Sequence, residues 1–117
     1  MKEITIYHNP RCSKSRQTLQ LLRDNSIEPK IIEYLKTPLK KNELKKISEM
    51  LGLRPKEFIR KNESDFKDNN YGEILDDDEK IIEAMVYHPK IIERPIVTAG
   101  TIAVIGRPPE NVLKVLK

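Results

Sequence analysis

The sequence predicts an α/β layer sandwich built on a small mixed sheet. Three observations carry that expectation. A β-α-β pattern opens the chain, a hairpin pattern and a closing helix end it, and a wholly helical stretch separates the two. At 117 residues the chain suits one domain, residues 1–117, with a modest core. Tryptophan is absent and aromatic residues make up 5%, so aliphatic side chains must supply that core.

Ile4-Thr5-Ile6-Tyr7 sets the first strand within residues 3–7. Residues 14–25 read as a helix, with Leu19 and Leu22 inward and Asn25 near its end. Lys30 to Tyr34, rich in isoleucine, reads as a second strand. Such a start implies a parallel pair joined by a right-handed crossover. Leu44, Ile47 and Leu51 recur at i, i+3 and i+7, and Gly52 supplies a stop. A short helix is expected from Pro55 to Arg60, with Pro55 in its first turn.

Residues 62–75 are polar and read as irregular. Asp76-Asp77-Asp78-Glu79 has the acidic character of a helix start, and a solvated helix start explains it better than a metal loop does. Ile81, Ile82 and Met85 form the apolar face of that helix, which His88-Pro89 ends. Ile96 to Thr98 and Thr101 to Ile105 read as a hairpin around Ala99-Gly100. Gly106-Arg107-Pro108-Pro109 breaks the strand, and Glu110 to Leu116 reads as a closing helix. This βαβ, helical insert, ββα order is that of a thioredoxin-like fold with a helical insertion after the second strand.

Composition narrows the function. A net charge of +4, with 34% charged residues of both signs, suits a small anionic substrate or an acidic partner. No basic stripe with interleaved aromatics points to nucleic acid. A single cysteine cannot form an internal disulfide, and a metal cluster would need more Cys or His than the chain has. No apolar run reaches signal-peptide or membrane-span length, so a cytoplasmic protein without a membrane partner is expected.

That one cysteine, Cys12, falls in Tyr7-His8-Asn9-Pro10-Arg11-Cys12-Ser13-Lys14-Ser15-Arg16, between a strand and a helix. Unpaired N–H groups and the helix dipole stabilise a thiolate there and also bind oxyanions. Arg11, Lys14 and Arg16 add positive charge. A lone cysteine is most often a buried core residue. The polar, cationic loop argues instead for a reactive thiol outside the core. His8 could cap the loop or tune the thiol, and Ser15 could be a plain loop residue or donate to the thiolate. His88, before Pro89, reads as structural, and the Lys40-Lys41 and Lys45-Lys46 pairs as an exposed helix face.

The motifs His8-Asn9-Pro10-x-Cys12-x-x-Ser15-Arg16, Arg60-Lys61-Asn62, Glu93-Arg94-Pro95-Ile96-Val97 and Gly106-Arg107-Pro108 occur in that order. Together with Tyr34-Leu35-Lys36-Thr37-Pro38 and His88-Pro89, they resemble the glutaredoxin-dependent arsenate reductase family from end to end. The likeness is greatest to its short chromosomal members. The resemblance implies Cys12 as nucleophile, His8 as the residue that helps keep the thiol ionised, and Arg60, Arg94 and Arg107 as ligands of the oxyanion. It also implies a cis bond between Arg94 and Pro95. Arg11 and Lys14 are more basic than the small residues common in the family's loop.

The chemistry fits those residue types. Arsenate is a tetrahedral oxyanion, and guanidinium groups stay charged and donate paired hydrogen bonds to it. A thiolate can displace an oxygen from arsenic and form a covalent adduct. The resemblance implies that glutathione, a co-substrate, then attacks that adduct and that glutaredoxin resolves the mixed disulfide left on Cys12. Ser15 stands three positions after Cys12, so no internal resolving thiol exists and an outside thiol must complete the cycle. A monomer with no tightly bound cofactor is expected.

Two other functions compete. The family also includes the Spx regulators, which bind RNA polymerase and commonly carry a CxxC pair that Cys12-Ser13-Lys14-Ser15 lacks. A glutathione-linked thiol oxidoreductase with a different substrate would retain the thiol chemistry.

Overall fold

The computed structural model describes residues 3–116, so residues 1, 2 and 117 of the expected domain lie outside the described residues. Among the described residues are four strands and four α-helices: β1 Ile4–Tyr7, α1 Ser13–Asp24, β2 Lys30–Ile32, α2 Lys41–Leu51, α3 Ser64–Asp68, α4 Asp78–Tyr87, β3 Ile96–Ala99 and β4 Ile102–Ile105. Short 3-10 helices cover Pro55–Glu57, Tyr71–Ile74, Pro89–Ile91 and Pro109–Val115. The chain forms two compact units. One runs up to Thr37 and resumes at Arg94, and the other is Pro38–Glu93.

The first unit holds the sheet, in the order β2-β1-β3-β4. β1 pairs in parallel with β2, Ile6 opposite Ile31. β1 pairs antiparallel with β3, Ile6 opposite Val97, and β3 with β4, Val97 opposite Val104. The mixed sheet and the thioredoxin-like element order expected from the sequence are therefore present. Alternation along the strands sends Ile6, Val97 and Ala99 to one face, where they pack with Leu19 and Leu22 of α1 and with Val112 and Val115 of the closing helix. Ile6, Leu22 and Val97 are fully buried. Each contributes about 1.5–3 kcal/mol through removal of apolar surface from water. Truncating Leu22 to alanine would cost about 2–5 kcal/mol.

The second unit is helical. Leu44 and Ile47 of α2 and Ile81, Ile82, Ala84 and Met85 of α4 are buried. Gly52 takes φ 68° at the end of α2, a left-handed conformation that glycine adopts without steric cost. At the start of α4 the Asp77 carboxylate accepts from the Lys80 amide at 3.1 Å, the N-cap function expected of the acidic run. Lys41 bridges α2 to Glu79 (2.6 Å) and Glu83 (3.3 Å) of α4, and Lys45 also pairs with Glu79. Among the described residues no helix is long and apolar enough to cross a membrane.

Five expectations need correction. β2 stops at Ile32 because the Glu33 carbonyl accepts from the Lys36 and Thr37 amides, at 3.0 and 2.9 Å, closing a turn that buries Tyr34. The helix expected from Pro55 to Arg60 is a single 3-10 turn ending at Glu57, and Ile59 bridges Ile92 instead. Residues 62–75 are not irregular throughout: α3 and the Tyr71–Ile74 turn lie within them, with Phe66 buried as their apolar anchor. The closing helix is 3-10, not α, and starts at Pro109. Its entry residues Pro108 and Pro109 carry no N–H, and bonds of i→i+3 spacing mark both ends: Asn111 to Pro108 at 3.0 Å and Leu116 to Leu113 at 3.3 Å. In the hairpin β3 runs one residue longer than expected, to Ala99, and Gly100 turns the chain at φ 63°.

Candidate active site

β1 delivers the chain to Cys12, which is the N-cap of α1 with φ −93° and ψ 123°. Its amide donates to the Asn9 carbonyl at 3.0 Å, and its carbonyl accepts the first helical bond, from Arg16 at 3.0 Å. The Asn9 side chain accepts from the Arg11 amide at 3.0 Å, and Arg16 Nη1 donates to the Pro10 carbonyl at 2.9 Å. These bonds fold residues 9–16 into a closed loop. They leave the thiol at the positive end of a twelve-residue helix, with no acidic residue in its first turn.

Cys12 is 8% exposed, so the exposure expected from its polar loop is not what the structure has. Its cover is polar. Arg107 Nη2 lies 3.5 Å from the sulfur, and Arg107 Nε donates to the Arg94 carbonyl at 2.7 Å. Arg107 follows β4 and Arg94 precedes β3, so the hairpin carries both arginines. The peptide bonds Arg94–Pro95 and Arg107–Pro108 are both cis. The first was expected from the resemblance; the second was not anticipated.

His8, at the end of β1, is buried, and its Nδ1 shares a 2.6 Å hydrogen bond with Ser15 Oγ. Ser15 is fully buried and also accepts from the Asn9 amide at 3.0 Å. Burial is the main cause that holds the His8 imidazole below its ordinary value of 6.5, with Arg16 and Arg23 adding to the effect and Glu33 opposing it. Burial therefore disfavours the charged imidazole. The Ser15 hydroxyl is engaged with His8 and with the loop backbone, a role in loop architecture that the sequence left open.

The first unit thus brings together Cys12, Arg107, Arg94, His8 and Ser15. Arg60 lies in the second unit, where it pairs with Glu63 at 3.3 Å and Glu93 at 3.7 Å and its amide donates to the Ile91 carbonyl at 2.7 Å. His88, read as structural, pairs with Asp65 at 3.7 Å and packs against the Tyr71 ring. Among the described residues no group of three or more His, Cys, Asp or Glu side chains is arranged to hold a metal ion.

Sequence reasoning missed three residues that shape this site. Asn9 closes the loop through its side chain, a turn habit of asparagine that its place before proline could have signalled. Thr18, fully buried in α1, donates to the Lys14 carbonyl at 2.8 Å and approaches the Gly106 carbonyl at 3.4 Å. Asn111 donates to the carbonyls of Arg107 at 3.0 Å and Ile105 at 3.3 Å. Thr18 reaches Gly106 from 88 positions away, for which no local pattern exists, whereas the acceptors of Asn111 lie four and six positions before it.

A chemically useful arrangement results: a thiol at a helix N-terminus, under a guanidinium held at a fixed angle by a backbone carbonyl. It can offer an oxyanion charge-assisted donors beside the nucleophile.

Comparison with known proteins gives the family. The model of the ArsC family matches residues 7–115. The chain is 46% identical to the uncharacterized protein YfgD of Escherichia coli K12, over 98% of each chain. It is 43% identical to an arsenate reductase of Neisseria meningitidis, covering 99% of this chain and 100% of that one. The solved structure of an arsenate reductase from Vibrio cholerae superposes with a TM-score of 0.94 at 44% identity, covering 97% of this chain and 98% of the other. With a family match over residues 7–115 and a full-length relative at 43% identity, the chain belongs to the ArsC family.

Proposed function

We propose that the protein is an arsenate reductase in which Cys12 is the nucleophile and glutathione and glutaredoxin supply the electrons. The observation that carries this reading is the contact between Arg107 and the Cys12 sulfur at the helix N-terminus. The names of the relatives at 43% identity and of the Vibrio cholerae structure support the substrate.

Arsenate binds with its negative oxygens toward the guanidinium of Arg107 and that of Arg94, and the resemblance gives Arg60 the same duty. The Cys12 thiolate attacks arsenic, an As–O bond breaks, and the oxygen leaves as water after protonation. Glutathione then attacks, and the pair of electrons in the As–S bond goes to arsenic. Arsenic falls from the pentavalent to the trivalent state, while the two sulfurs, each oxidised by one electron, join as a Cys12–glutathione disulfide. Glutaredoxin takes the glutathione and returns Cys12 as a thiolate. His8 and Ser15 hold the loop through which the thiol is presented.

Intact-mass analysis tests the sequence of steps. Incubated with glutathione and no glutaredoxin, the protein gains one glutathione on Cys12 only when arsenate is present, because arsenate is the oxidant. Absence of an arsenate-dependent adduct on the folded protein would remove the reading.

A further inference from the structure

Arg107 reaches the thiol from a short loop whose backbone is gripped on two sides. On one side the Gly106 amide donates to the Pro95 carbonyl at 2.9 Å, and Gly106 lies against Thr18. A Cβ on Gly106 would stand 2.5 Å from Thr18 Oγ1 and 2.8 Å from Pro95 Cγ, so the backbone itself occupies the space next to α1. On the other side stands Asn111, partly buried in the closing 3-10 helix. Its amide donates to the carbonyls of Ile105 and Arg107, the residues on either side of Gly106.

The Asn111 side chain serves little purpose for its own helix. That helix begins with Pro109 at its first position, where proline removes a donor that would otherwise need a cap. The side chain points back instead and spends two hydrogens on the loop before the helix. One accepting carbonyl belongs to the last residue of β4, and the other to the residue whose guanidinium touches sulfur. A long side chain turns a small backbone rotation into a large displacement of its head group. Fixing the Arg107 carbonyl therefore fixes where the guanidinium sits, and the bond from Nε to the Arg94 carbonyl completes the alignment.

We propose that Asn111 is a positioning residue for Arg107: by clamping the carbonyls of Ile105 and Arg107 it holds the guanidinium against the Cys12 sulfur and gives the thiol its preference for anionic reaction partners. This rests on the reading that Arg107 serves the Cys12 reaction.

The test compares the rates at which Cys12 is alkylated by iodoacetate, an anion, and by iodoacetamide, its neutral analogue. The ratio of the two rates reports the cation near sulfur and is insensitive to a general loss of stability. Asn111→Ala is expected to lower the ratio about threefold to tenfold, the scale of one or two lost hydrogen bonds. Asn111→Leu, which keeps the volume without the donors, is expected to do the same and decides the matter if the alanine variant fails to fold by circular dichroism. Arg107→Gln lowers the ratio too, and adding Asn111→Ala to it is expected to change nothing further, because the two residues act as a unit. An unchanged ratio in a folded Asn111 variant would overturn the proposal. An equal fall in the Arg107→Gln background would overturn it as well. The readout needs no arsenate. A wild-type protein that shows this coupling but turns over no arsenate would remove the reductase reading and leave the positioning role standing. Arsenate turnover with a ratio that ignores Asn111 would do the reverse.

Discussion

The Nη2 atom of Arg107 lies 3.5 Å from the sulfur of Cys12, although 95 positions separate the two residues in the chain. Antiparallel pairing makes the contact possible. β1, which leads to Cys12, lies beside β3, and β3 lies beside β4, which leads to Arg107. Nucleophile and cation thus arrive from β1 and β4, the strands on either side of β3, and the Arg94 carbonyl sets the angle of the guanidinium.

Arg107→Gln removes a charge-assisted contact beside the nucleophile. Such contacts are worth about 1.5–3 kcal/mol, so kcat/KM for arsenate is expected to fall about tenfold to a hundredfold. Steady-state kinetics checks this. Unfolding in urea should show little change, because Arg107 lies outside the apolar cluster between sheet and helices.

Burial of His8 has a consequence for stability. Its folded-state value lies below 6.5, so under acid conditions the folded protein binds fewer protons at His8 than the unfolded chain does. The contribution is fully present above 6.5 and is lost as pH falls from there toward the depressed folded value. Urea midpoints measured on either side of the ordinary histidine value should drop on the acid side, and His8→Asn should flatten that drop. Equal acid sensitivity in wild type and His8→Asn would contradict the assignment.

Gly106→Ala places a methyl group 2.5 Å from Thr18 Oγ1 and 2.8 Å from Pro95 Cγ, both parts of short, packed side chains. The backbone must move away from α1, at a cost of about 1–3 kcal/mol. Chemical denaturation measures the loss. Arsenate kinetics should worsen along with it, since Arg107 is the next residue.

Much of the fold was legible because its signals are local. Leu44 and Ile47 repeat at helical spacing ahead of a glycine with positive φ, and α2 ends there. The acidic run before Ile81 places Asp77 as a cap, and α4 begins one residue later. What stayed hidden depends on longer-range bonding. Nothing in Lys30 to Tyr34 announces that the Glu33 carbonyl will close a turn and take Tyr34 into the interior. Phe66 alone marks the buried side of a stretch otherwise too polar to show a period.

The site divides in the same manner. A cysteine between a strand pattern and a helix pattern sits at a helix N-terminus by construction, and Cys12 does. Its burial was not legible, since the cover is an arginine from the far end of the chain. Arg94 and Arg107 stood out from the other basic residues only through the motifs around them. Thr18 carried no signal, because it acts on the Gly106 carbonyl, which only tertiary structure brings within reach.

The most direct measurement is arsenite formation from arsenate, with glutathione, glutaredoxin and NADPH-coupled glutathione reductase, comparing wild type with Cys12→Ser. The account predicts steady arsenite production and NADPH oxidation by the wild type and none by the serine variant, whose circular dichroism stays native. Undiminished turnover by a folded Cys12→Ser protein would contradict it. So would a wild type that folds, exposes a reactive Cys12 to alkylation, and leaves arsenate unreduced.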